Sequence, residues 1–135
     1  MCCNDKSNNN IANIFESIIC LQQKNDSCEQ DSSCTKPFLG PSLNLICLNT
    51  RPLNLYTCCN NELWTMPYTL NGVEGESSVF RVESLDNDCI TCRVLAPNTD
   101  ADPTFPYLAT EDFFTIKLCC IGIIRCLGDT TVNGL

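Results

Sequence analysis

The sequence predicts a mainly β fold, an antiparallel β-sandwich or barrel-like domain with one N-terminal amphipathic helix. Three observations predict it. Short segments of alternating apolar and polar residues recur at intervals of about ten residues, with turn-forming residues between them. A single segment carries the apolar spacing of a helix. A hydrophobic content of 44% in a chain of 135 residues suffices for one buried core without staples.

In chain order, residues 1–10 are expected to form a flexible polar arm bearing Cys2 and Cys3, ahead of a single cysteine-rich β domain over 11–135. Ile11, Ile14, Phe15, Ile18 and Ile19 share one face at helical spacing, which predicts a helix over 11–23 with Asn10 as its N-cap. Gln22 to Pro37 reads as a polar loop. The period then changes to two. Leu43 to Asn49, Leu53 to Thr57 and Leu63 to Leu70 are strand candidates, the last held to an edge or bulge by Pro67. Cys58-Cys59-Asn60-Asn61 reads as a turn, and Asn71-Gly72 as a second one that Val73 to Glu76 extends into a loop.

Ser78 to Ser84 and Cys89 to Leu95 form the clearest hairpin, around Asp86-Asn87-Asp88. Phe80 and Val82 share one face of its first strand, Arg81 and Glu83 the other. Pro97 to Thr104 reads as a loop, with Phe105 to Thr110 as a strand after it. In Phe113 to Leu127, Phe114, Ile116, Leu118 and Cys120 share one parity against Thr115 and Lys117, as in a strand with one buried face.

Composition narrows function by exclusion. Sixteen acidic against eight basic residues give a net charge of −8, and the basic residues do not cluster. Binding to nucleic acid or to an anionic membrane surface is therefore not expected. No apolar run is long enough for a membrane span, so no membrane insertion is expected either. The first residues lack a basic n-region and no signal peptide is expected. The absence of histidine removes Ser-His and Cys-His catalysis, and no carboxylate pairing points to acid–base chemistry. Glu74/Glu76, Asp86/Asp88 and Asp100/Asp102 lack the full calcium-loop spacing and read as solvated turn residues. No enzyme activity, cofactor or metal is expected.

The 13 cysteines are the composition of a disulfide scaffold or a metal protein, and their odd number forbids complete pairing within one chain. Cys89-Ile-Thr-Cys92 is the lone C-x-x-C, but on a strand its sulfurs point to opposite faces, which disfavours convergence on zinc or redox chemistry. The vicinal pairs Cys2-Cys3, Cys58-Cys59 and Cys119-Cys120 suit bonding between molecules better than a closed cage. In a strand, each such pair would send one sulfur inward and one outward. Candidates for disulfides or cross-links are Cys2, Cys3, Cys20, Cys28, Cys34, Cys58, Cys59, Cys89, Cys92, Cys119, Cys120 and Cys126. The rival reading is a cytosolic cysteine-rich zinc-binding module.

The ordered motifs resemble a family. The helix is followed by S-C-E-Q-D-S-S-C-T-K-P-F-L-G, N-T-R-P-L-N-L-Y-T, V-F-R-V-E-S, C-R-V-L and T-I-K-L-C-C-I-G-I-I-R-C-L. Together they are similar to the cysteine-rich outer spore coat and exosporium proteins of the CotY, CotZ and ExsY group, over about Ile11 to Leu127. The resemblance implies a structural subunit, made in the mother-cell cytoplasm and placed at the spore surface with other coat and exosporium proteins. It implies self-assembly as a homo-oligomer, expected to be a hexamer, into a two-dimensional lattice cross-linked by disulfides. Cys34, Cys119, Cys120 and Cys126 lie inside matching motifs, for which it implies a structural or cross-linking role.

Overall fold

The computed structural model describes residues 8–26, 48–99 and 105–135. Among these residues one helix, α1 (Asn8–Asp26), precedes seven strands: β1 (Leu53–Thr57), β2 (Met66–Leu70), β3 (Val73–Ser77), β4 (Phe80–Asp86), β5 (Cys89–Pro97), β6 (Tyr107–Lys117) and β7 (Ile121–Cys126). A 3-10 turn, Leu118–Cys120, separates the last two. The strands form a five-stranded antiparallel sheet in the order β6-β5-β4-β1-β7 and a separate hairpin, β2-β3. The fold is mainly β with one N-terminal helix, as expected. Among the described residues the sheet stays open, with β6 and β7 as its edges.

Alternation decides what each face of the sheet does. Phe80 and Val82 of β4 stand opposite Val94 and Cys92 of β5, and Cys92 stands opposite Phe114 of β6. The Phe80 and Phe114 rings meet edge to face at 4.7 Å. Helix α1 packs Phe15 and Ile18 on this apolar face, and burial of each contributes about 1.5–3 kcal/mol. Trp64, Met66 and Tyr68 complete the cover from the hairpin side. Gln22, buried at the helix's C-terminal part, donates from Nε2 to the Val82 carbonyl (2.8 Å) and accepts at Oε1 from the Arg51 amide (3.1 Å). It fixes the helix to β4 and to the approach to β1.

The reverse face is polar. Arg81, 5% exposed, donates to Thr50, to the Asn49 carbonyl and to Glu83 (2.7 Å). Glu83 also accepts from Arg93 (3.0 Å), whose guanidinium lies 4.5 Å from the Phe113 ring centroid. The C-terminal segment ties back to the start of β1, through Thr50–Thr130 backbone bonds and an Arg51–Asp129 ion pair (2.7 Å).

Several expectations are corrected. Helix α1 begins at Asn8 and runs to Asp26, so Asn10 lies inside it and Gln22 is helical rather than the start of a loop. Ile14 is 45% exposed; the helical face is narrower than its isoleucines suggest. Val73 to Glu76 extends no loop. Asn71 and Gly72 take φ of 54° and 79°, a two-residue hairpin turn, and Val73–Ser77 is a strand. Glu74 and Glu76 are accordingly exposed strand residues. A Cβ at Gly75 would lie 2.6 Å from the Tyr68 hydroxyl across the hairpin, so a larger residue there requires that ring to move. Leu63 makes an isolated bridge to Tyr56, and β2 starts only at Met66. The two strands expected at Phe105–Thr110 and beyond Phe113 are continuous as β6. The arm with Cys2 and Cys3, the loop with Cys28 and Cys34, most of the Leu43–Asn49 candidate and the Asp100–Thr104 part of the later loop fall outside the described residues.

Candidate functional site

The last residue of β1, Thr57, pairs with the first of β7, Ile121, across a register shift. The turns flanking that pair are thereby forced together: Cys58–Asn60 after β1 and Leu118–Cys120 before β7. The Cys58 amide donates to the Cys120 carbonyl (2.9 Å), and the Cys58 thiol donates to the Cys119 carbonyl (3.2 Å). Gly122 permits this approach, because a Cβ there would lie 2.7 Å from the Cys58 Cα. On its other side the 3-10 turn is held by the Leu118 amide, which donates to the Asp88 carbonyl (2.7 Å) in the β4–β5 turn next to Cys89.

Two vicinal cysteine pairs thus share one site. Cys58 and Cys120 are half-buried thiols, and Cys59 is exposed beside Cys58. The Cys58 sulfur lies 4.0 Å from that of Cys59. Cys119-Cys120 does not split inward and outward as a strand pair would. The chain leaves β6 at Lys117, so both residues belong to the 3-10 turn and both are half-buried.

The other described cysteines occupy different surroundings. Cys20 on α1 and Cys126 at the end of β7 are exposed thiols. Cys89 is half-buried; partial desolvation, together with its hydrogen bond to Asp88 (3.6 Å), pushes its thiol above the ordinary value. Cys92 is wholly buried, and burial, with the Glu83 charge second, pushes its thiol up to about 12. It packs as a small hydrophobe out of reach of a partner, so a cross-linking role for Cys92 is set aside. The C-x-x-C pair does lie on opposite faces of β5.

Sequence reasoning identified the vicinal pairs but not their juxtaposition, nor the part played by Gly122. The signal for Gly122 was a glycine interrupting an apolar strand, which marks close backbone approach. Among the described residues no grouping of three or more His, Cys, Asp or Glu side chains is arranged to hold a metal ion. No helix among them is long and apolar enough to cross a membrane.

An acidic antiparallel β domain with thiols both at its surface and in a turn cluster is that of a cysteine-rich protein. The chain is a member of the spore coat protein Z family, whose model matches residues 1–105. Membership makes it a structural protein of the spore coat, at the spore surface among coat components. The matched segment includes Cys58 and Cys59 and ends before β6, so the Cys119-Cys120 turn lies beyond it. No curated protein and no solved structure matches the chain.

Proposed function

We propose that the protein is a self-assembling subunit of the outer coat or exosporium basal layer, forming hexameric rings that tile into a two-dimensional lattice. The observation that carries this reading is the placement of thiols in a member of a spore coat family. Cys20 on the helix and Cys126 on the edge strand β7 are exposed and free to bond to another subunit. Ile14 and Leu21, both exposed on α1 and seven residues apart, add an apolar line on that helix. Weak symmetric contacts set the geometry while thiols are reduced, and errors can anneal. Disulfides between subunits then make dissociation depend on thiol attack. Other coat proteins are partners in the same chemistry, and no enzyme activity is involved.

Electron microscopy of the purified protein, with reducing and non-reducing gels, tests the reading. Ordered rings or sheets and a reducible ladder are expected. Cys20→Ser with Cys126→Ser should remove much of the ladder and leave the rings. Monomers without ordered particles, and without any ladder, would contradict it.

A further inference from the structure

The two edges of the five-stranded sheet are treated differently. Along β6, Leu108 bridges Asn133 of the C-terminal segment, and the Ala109 amide donates to the Asn133 carbonyl (3.4 Å). Farther along, the Asp112 carboxylate accepts from the Thr69 amide of the β2-β3 hairpin (2.8 Å). Among the described residues nothing pairs with the outer side of β7. We infer that this bare edge is an interface with a second copy of the chain, the two β7 strands pairing antiparallel about a two-fold axis at Ile124.

Backbone phase supports the register. The Leu127 amide donates inward to the Pro52 carbonyl (2.8 Å). Leu55, which stands opposite Ile124, gives its carbonyl to the Trp64 amide on the far side of β1 (2.8 Å). Alternation along β7 therefore turns the amides and carbonyls of Ile124 and Cys126 toward the open edge. An antiparallel copy satisfies them reciprocally, because the two Ile124 residues exchange both bonds across the axis. Cys126 then falls opposite Gly122 of the second copy, so the contact itself needs no disulfide.

Side chains and charge support the occupant. Strand β7 carries one charge and no proline, the usual guards of an exposed edge. Its Ile123 (45% exposed) stands beside Tyr56, and Tyr56 beside Leu63 (43% exposed), so an apolar strip flanks the edge. At a net charge of −8 two copies repel each other, yet Lys117 to Gly128 holds two basic residues and no acidic one. Two copies meet least repulsion there. About the Ile124 axis Arg125 faces Ile123 of the second copy rather than its Arg125, so like charges are not opposed. An isologous contact of this kind cannot close a six-membered ring. It does not rest on the shell reading; within that shell it would join one ring to the next.

The full-length protein in reductant, over a range of concentrations, tests the interface by amide hydrogen exchange and sedimentation velocity. The Ile124 and Cys126 amides should gain protection as concentration and mass rise together. Ile123→Lys places a lysine opposite Arg125 of the second copy and should weaken association at least about tenfold. Adding Arg125→Glu restores opposite charges in that register and should return association to within about threefold of wild type. Both side chains are exposed, and circular dichroism checks folding; if a variant does not fold, exchange in the wild type decides alone. The proposal is overturned if those two amides are protected equally at every concentration, or at none. It is also overturned if Ile123→Lys associates as wild type does, or if the double variant does not recover. Rings with unprotected β7 amides would leave the shell reading standing without this interface, and β7 dimers without rings the reverse.

Discussion

Cys92 and Cys58 are the same residue type in opposite situations. Cys92 sits mid-strand in β5, between Val82 on one neighbour and Phe114 on the other, wholly buried. Its thiol is held protonated by its surroundings, and it serves the core as a methyl-sized filler does. Cys58 sits in a turn whose neighbours are backbone carbonyls and another sulfur. The difference lies in backbone placement. A strand interior satisfies its own amides and presents the side chain to apolar neighbours, whereas a turn leaves carbonyls and thiols facing each other. A cysteine-rich chain can therefore fold on some of its sulfurs and react through others.

Substitutions can break the comparison from the core side first. Phe80→Ala removes a fully buried ring and its contact with Phe114, and should cost about 3–5 kcal/mol in chemical denaturation. An unchanged midpoint would mean that the apolar face is not what holds the sheet. From the turn side, Gly122→Ala pushes a methyl group against the Cys58 backbone. It should cost about 1–3 kcal/mol and alter which thiols react, since the two turns must separate. A variant as stable as wild type, with the same thiol reactivity, would show that the turns do not need this approach.

The pH dependence sharpens the contrast. Cys92 in the folded protein keeps its proton up to about 12, while an unfolded cysteine loses it near about 8.5. The stabilisation is complete below the unfolded value and is lost as pH rises toward the folded one. Stability should fall between those limits by up to about 1.4 kcal/mol per pH unit, and Cys92→Val should flatten that slope. Equal slopes in denaturant titrations of the two proteins would show that Cys92 is not the group responsible.

The smallest effect belongs to the C-terminal tie. Hydrogen bonding to Arg51 holds the Asp129 carboxyl below the usual carboxylate range. Its contribution is present above the ordinary aspartate pKa and lost as pH falls through the lowered folded value. Both side chains are about a third exposed, so Asp129→Asn should cost less than about 1 kcal/mol at neutral pH, and less still in high salt. A loss of several kcal/mol would show that this tie matters as much as the core.

What the sequence made legible follows the same division. The β4–β5 hairpin could be read because its alternation is local and its turn residues are strong. Val73–Ser77 could not, since its two glutamates and Gly75 carry no apolar signal; the strand exists through its pairing with β2 across the Asn71-Gly72 turn. Two-residue parity served as far as Lys117 and failed at Cys119-Cys120, where a backbone turn replaces the strand without any proline or glycine to announce it. The meeting of Cys58 with Cys120 depends on β1 pairing with the last strand. That is a tertiary choice set by the whole core, and no spacing within either motif encodes it.

Timed alkylation of the native, oxidised protein with peptide mapping tests the division of cysteines most directly. Cys20 and Cys126 should label first. Cys92 should stay unlabelled until denaturant is added. Labelling of Cys92 in the folded protein as fast as Cys20 would contradict it.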